Sequence, residues 1–175
     1  AAREEALMHI HNSQERAETA FPTANLTLTN VENFEVPKNS EDFSAVLAEY
    51  RGRDIIAGRT LAGPHRDDLY GVFAAKNVPA KDSSTGEQKA LLISLILANG
   101  RALKEQTGIP PILLLDEVAA HLDTGRRAAL YDEICCLGAQ AWMTGTGAEL
   151  FEELGTRAQH LLVSESDGKS QVEFT

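Results

Sequence analysis

The run Ile112-Leu113-Leu114-Leu115, closed at once by Asp116-Glu117, constrains this chain more than any other stretch. Pro110-Pro111 isolates it from what precedes, and four branched aliphatics are too few for a helix and show no polar alternation. That is the pattern of a central parallel strand buried on both faces. A parallel strand requires a crossover connection and covering helices, so the chain is committed to an α/β layer. In open α/β sheets ligands bind at the carboxyl ends of the strands, which is where the two acids fall. A carboxylate there can hold Mg²⁺ through water, and a second beside it can polarise an attacking water. Taken alone, the pair reads equally well as a strand ending in solvated acids.

The flanking pattern supports the layer. Helical periodicity runs from Ala1 to about Ala20 and is stopped by Phe21-Pro22. Residues 25–31 alternate as a strand. Ser40 offers an N-cap with Glu41 and Asp42 in the first turn, and Phe43, Val46, Leu47 and Tyr50 form one apolar stripe ending near Gly58. Residues 69–75 read as a strand, 76–85 as a polar loop, and 88–104 as a largely buried helix stopping at Gly108. A helix at 124–136, a strand at 140–144 and a short helix at 148–154 follow. A hairpin closes the pattern: 160–163, a turn at Asp167-Gly168, then 171–174. The opening residue is not Met and already lies inside a helical pattern, as expected of a piece of a longer protein.

Spacing gives the acid pair its meaning. Upstream, Ser84-Thr85-Gly86-Glu87-Gln88-Lys89 leads straight into the long helix. A serine hydroxyl and open backbone N–H groups at a helix N-terminus make an anion site, although by itself S-x-G before a helix is an ordinary N-cap. Ser84 and Asp116 are 32 residues apart, a distance filled by one helix and one strand. That is the arrangement of a signature motif and a Walker B strand in ATP-binding-cassette (ABC) ATPases. Asp123 follows Glu117 by six residues, in the position of a D-loop. A P-loop, G-x-x-x-x-G-K-[ST], is not matched: Gly52…Gly58-Arg59-Thr60 has one residue too many and Arg for Lys, and Gly58…Gly63 runs into Pro64-His65. The phosphate-gripping half is therefore expected upstream, and nucleotide binding by this stretch alone is expected to be weak.

Charge bounds the partners. The net charge is −10, from 26 acids against 16 Lys and Arg, which disfavours coating of nucleic acid by bulk attraction. The imbalance is uneven: residues 1–50 carry 9 acids and 3 bases, residues 51–110 carry 6 and 9, and residues 111–175 carry 11 and 4. An anionic ligand is best sought in the middle third. No apolar run reaches the ~18 residues of a membrane span. The two cysteines are adjacent, which excludes a disulfide framework and metal-ligand spacing. A soluble intracellular protein is the expectation.

With Gly63-Pro64-His65-Arg66-Asp67-Asp68, Ser84-Thr85-Gly86-Glu87-Gln88-Lys89 and Leu113-Leu114-Leu115-Asp116-Glu117 in this order, the sequence resembles the RecF family. These are bacterial recombination-mediator ATPases of the SMC-like branch of the ABC ATPases. The resemblance runs from about Tyr50 to Phe151. It implies the C-terminal half of an ABC/SMC-like P-loop ATPase head, with residues 1–58 a mainly helical part of the second lobe and residues 59–175 the head portion. It implies ATP and Mg²⁺ as cofactors, with Asp116 the Mg²⁺-water carboxylate and Glu117 the base that orients water. Ser84, Thr85, Gly86 and Glu87 would form the signature element, Ser84 and Gly86 touching the γ-phosphate of ATP held by the opposite protomer. The family's transporter relatives carry Gly-Gly-Gln where Thr85-Gly86-Glu87 stand here. Asp123 would lie at the dimer seam, and Thr146, in Thr144-Gly145-Thr146, would take the switch-histidine position. The family further implies ATP-dependent homodimerisation on gapped or junction DNA, recombinase loading, a RecR-type partner, a link to the SOS response and a cytoplasmic location.

Two rivals remain: a non-catalytic DNA-repair scaffold, and a metal-dependent nuclease built on Asp116 and Glu117. The nuclease requires further carboxylates converging on the same metal and gives the Ser84 element no role, so it ranks last. His65 and Arg66 read either as a phosphate contact or as an internal pairing of Arg66 with Asp67 or Asp68. Arg51, Arg53, Arg59, Lys76, Lys81 and Lys89 read as solvated surface or as a DNA face. Cys135, Cys136 and Trp142 are expected in the core, and His9 and His11 on the surface.

Overall fold

The computed structural model describes residues 2–30, 37 and 39–174. The chain divides into two compact units, Ala1–Gly108 and Ile109–Thr175.

The first unit packs two helices and a small sheet. Helix α1 (Ala2–Glu15) is shorter than the periodicity predicts and ends where Gln14 turns inward. The buried Gln14 amide accepts from the Ala24 N–H (2.8 Å) and donates to its C=O (3.2 Å). One side chain thus satisfies both backbone groups at the start of strand β1 (Ala24–Asn30). Val31, the last residue of the strand expected from sequence, lies outside the described residues. Strand β1 pairs antiparallel with β2 (Asp67–Phe73), Ala24 opposite Phe73 and Asn30 opposite Asp67.

Helix α2 (Ser40–Ala57) lies between them in sequence. Its cap is Asn39 rather than Ser40: the Asn39 side chain accepts from the Asp42 N–H, and Ser40 is already helical. Gly58 closes α2 in the left-handed conformation (φ 64°), as a glycine stop should. The Phe43-Val46-Leu47-Tyr50 stripe is only half-buried.

The loop expected over 76–85 contains a two-residue strand, β3 (Val78–Pro79), at the edge of β2, where proline's missing N–H is harmless. Helix α3 (Thr85–Thr107) starts three residues earlier than expected and stops at Gly108 as the sequence predicts. It buries Ala90, Leu91, Ser94, Leu97 and Ala98. Leu91 packs with Ala24 and Phe73 to join the helix to the sheet, and α1 lies against α3.

In the second unit, β4 (Leu113–Leu115) and β5 (Ala141–Met143) pair in parallel, Leu114 opposite Trp142 and Leu115 opposite Met143. The crossover between them is α4 (Thr124–Leu137). Leu113 and Leu115 are buried, as are Leu130, Tyr131, Ile134 and Leu137 of α4. The expectation of burial on both faces fails here: Leu114 is 78% exposed and Trp142 55% exposed, so one face of the pair is open. Cys135 and Cys136 are also exposed rather than packed in the core. Tyr131, fully buried, donates its hydroxyl to the Leu150 C=O (2.6 Å) and fastens α4 to the 3₁₀ segment Ala148–Arg157. Arg127 adds a two-pronged bond to Glu153 at 3.0 and 3.3 Å, which holds the Glu153 carboxyl below its ordinary range.

Strands β6 (Leu161–Ser166) and β7 (Lys169–Phe174) form the expected hairpin. Its two-residue turn, Asp167-Gly168, has φ of 53° and 71°, the positive angles of a type I′ turn.

Candidate nucleotide site

The acid pair sits at the carboxyl end of β4, and its geometry follows from the strand register. Because Leu115 is level with Met143, the next residues, Asp116 and Thr144, come level too. The ladder continues one step further, with the Thr144 N–H donating to the Leu115 C=O (3.1 Å). The Thr144 hydroxyl then donates to Asp116 Oδ1 at 2.5 Å and accepts from the Glu117 N–H at 3.1 Å. Glu117 stands at φ 52°, a left-handed conformation that costs a non-glycine residue about 1–2 kcal/mol. Backbone strain at a strand end, held by a neighbouring side chain, is what a preorganised site requires.

Asp116 is exposed, with one carboxylate oxygen engaged by Thr144. A single hard carboxylate of this kind suits Mg²⁺, which keeps most of its waters and takes the rest of its ligands from phosphate oxygens. Among the described residues no group of three or more His, Cys, Asp or Glu is placed to hold a metal ion. The converging carboxylates that a nuclease needs are therefore missing from the described residues.

The Ser84–Lys89 stretch occupies the tip of α3, in the other unit. Ser84 is its N-cap, and the reciprocal bonds with Glu87 complete a capping box. The Glu87 N–H donates to Ser84 Oγ (3.4 Å), while Glu87 Oε2 accepts from the Ser84 N–H (2.9 Å) and hydroxyl (2.7 Å). Gln88 bonds the Ala80 and Lys81 carbonyls, both at 3.0 Å, and so fixes the loop to the helix. Ser84, Thr85 and Gly86 are exposed, and a Cβ at Gly86 would meet nothing within 4 Å. Among the described residues nothing comes close enough to Gly86 to demand glycine there.

The Lys76 ammonium bonds Glu87 and, with the Ser84 hydroxyl and N–H, lowers the Glu87 pKa from 4.5 to about 2. A depressed carboxylate pKa stabilises the fold above the unfolded value and is lost as pH falls through the folded one. The melting-temperature gap between wild type and Glu87→Gln should therefore be constant from pH 8 to about 5 and close between about 4.5 and 2. A gap that stays open at pH 2 in a thermal-denaturation series would contradict this.

Asp123 caps α4, accepting from the Arg126 N–H (2.9 Å), and is exposed. Thr146 is exposed two residues beyond Thr144. The Gly63–Asp68 stretch is tied into its own unit: Arg3 bonds the Pro64 carbonyl and pairs with Asp67 (3.6 Å), and His65 meets the Thr60 carbonyl (3.1 Å). His9 and His11 pair with Glu5 and Glu15 along α1, as surface residues do. Sequence reasoning named Thr144 without a role and read Lys76 as solvated surface or a DNA face. It thus missed the bonds of Thr144 to the acid pair and of Lys76 to Glu87. Thr144 gains its place from register alone: it follows β5 as Asp116 follows β4, and parallel pairing of the two strands brings the two residues level.

Comparison with known proteins gives the class first. The chain shares its fold with the heads of SMC-type ATPases. It superposes with TM-score 0.54 at 17% identity on a chain from a study titled "Structural biochemistry of ATP-driven dimerization and DNA stimulated activation of SMC ATPases", covering 99% of this chain and 88% of that one. It superposes with TM-score 0.60 at 23% identity on "Structure of the recombination mediator protein RecF-ATP in RecFOR pathway", covering 98% of this chain and 45% of that one. No family model matches the sequence.

The chain belongs to the RecF family. It is 49% identical over 156 residues to the DNA replication and repair protein RecF of Rhizobium meliloti (strain 1021), covering 85% of this chain and 41% of the relative. It is 51% identical over 161 residues to that of Rhizobium etli (strain CIAT 652), covering 89% and 42%. The chain thus spans about two fifths of the length of the curated relatives it matches.

Proposed function

We propose that this chain supplies the signature and hydrolytic elements of a DNA-repair ATPase that dimerises around ATP. The observation that carries this reading is the Asp116-Glu117 pair at the carboxyl end of a parallel strand, held by Thr144. The exposed helix tip at Ser84–Gly86 and membership of the RecF family support it.

Asp116 would hold Mg²⁺ through water, and the ion would neutralise phosphate charge when bound. Glu117 would orient and deprotonate the attacking water, and Thr146 would take the switch position near the γ-phosphate. Ser84, Thr85, Gly86 and Glu87 would meet the nucleotide of the opposite protomer, with the Ser84 hydroxyl exchanging the Glu87 carboxylate for the γ-phosphate. Asp123 would lie at the seam while capping α4. Residues 1–58 would belong to the second lobe and 59–175 to the head. Splitting the γ-phosphate contacts between two chains makes dimer affinity depend on intact ATP, because charge-assisted bonds disappear on hydrolysis. Hydrolysis then times how long the dimer stays on gapped or junction DNA in the cytoplasm, where it would meet a RecR-type mediator, promote recombinase loading and take part in the SOS response. No helix among the described residues is long and apolar enough to cross a membrane.

The open face of β4–β5 fits this reading, since Leu114 and Trp142 present the apolar surface that further head structure would cover. The test is to join the upstream segment of the R. meliloti relative to this chain and follow association by sedimentation. ATP with Mg²⁺ should convert monomer to dimer, and DNA should speed hydrolysis. A chimera that folds and binds DNA but neither dimerises nor hydrolyses ATP would favour the scaffold reading instead.

A further inference from the structure

We infer that Thr144 is the positioning residue of the hydrolytic acid pair. The inference rests on the reading of Asp116 and Glu117 given above and adds a component to it. Three bonds fix Thr144 at the end of β5. Its N–H holds the Leu115 carbonyl (3.1 Å), its hydroxyl proton goes to Asp116 Oδ1 (2.5 Å), and its hydroxyl oxygen accepts the Glu117 N–H (3.1 Å). A hydroxyl has one proton to give, and here it is committed to Asp116. That bond sets the rotation of the carboxylate and leaves its other oxygen for water or metal. The second bond pins the backbone of Glu117 in the left-handed conformation at φ 52°, where a non-glycine residue needs an external hold. One side chain therefore orients two functional carboxylates, one through its oxygen and the other through its main chain.

The same level on β5 could carry Val at no cost to strand propensity, because Thr and Val share shape and branching. The hydroxyl is what differs. Thr144→Val removes both bonds and Thr144→Ser keeps both.

In this chain, the Glu117 amide should exchange with deuterium at least about 10-fold faster in Thr144→Val than in wild type, and near the wild-type rate in Thr144→Ser. In the ATP-hydrolysing chimera, Thr144→Val should lower kcat by about 10–100-fold, the range for lost support of a metal-site ligand, with KM for ATP within about 3-fold. Thr144→Ser should restore kcat. A role confined to folding would lower the folded fraction without this split and without rescue. Glu117→Gln is run alongside. If it slows hydrolysis while Thr144→Val changes neither kcat nor Glu117 exchange, the positioning role of Thr144 is overturned and the site reading stands. If Glu117→Gln leaves hydrolysis unchanged, the site reading fails and this inference falls with it.

Discussion

In the chimera, Glu117→Gln should cut ATP hydrolysis by about 10²–10⁴-fold, the range for loss of a positioned general base. It should also lengthen the life of the ATP-bound dimer. The substitution isolates chemistry from structure for a reason visible in the geometry. Glu117 is held through its backbone N–H, which a Gln retains, so the left-handed turn after β4 and its bond to Thr144 survive. Only the carboxylate's capacity to accept a proton is lost. With hydrolysis slowed, the γ-phosphate persists, and contacts that depend on it persist too. Single-turnover hydrolysis and sedimentation in ATP read the two effects separately. Turnover equal to wild type would remove Glu117 from the reaction.

The parts of this fold that sequence revealed were those fixed by local chemistry. Gly58, Gly108 and Gly138 end their helices in the left-handed region because glycine alone enters it freely, and the first two were readable as stops. The Asp167-Gly168 turn was legible for the same reason. The Ser84 capping box was legible as an N-cap because Ser and Glu stand three residues apart.

What was not legible depends on what packs where. A four-residue aliphatic run states that its side chains avoid water, and it does not state whether this chain covers both faces; Leu114 and Trp142 remain open. Helix α1 stops short of the proline because buried Gln14 turns to serve Ala24, a tertiary event without a periodic signature. The same limit applied to the site. Asp116 and Glu117 announced themselves by type and position, whereas Thr144 acquires meaning only from parallel register across a crossover.

Ser84→Arg should abolish the ATP-dependent dimer, lowering its affinity at least about 100-fold, which corresponds to about 2.7 kcal/mol or more. The effect is expected to be large because Ser84 lies at an exposed helix tip where backbone N–H groups converge and where Gly86 leaves open space. A guanidinium on a long stem would fill that space and keep the opposite protomer's nucleotide from reaching the amides. The change also removes a cap, at about 1 kcal/mol of fold stability, so lost dimerisation must be separated from lost folding. Ser84→Asp makes the separation. It retains a capping oxygen for the Glu87 N–H but gives up the hydroxyl bond to the Glu87 carboxylate and sets a like charge beside it. It should therefore fold with a lowered melting temperature, and its negative charge against the γ-phosphate should still prevent dimerisation. Sedimentation in ATP with a melting curve for each variant decides the matter. If both variants are folded and both dimerise with ATP, the α3 tip lies outside the nucleotide interface, and Asp116 and Glu117 act without it.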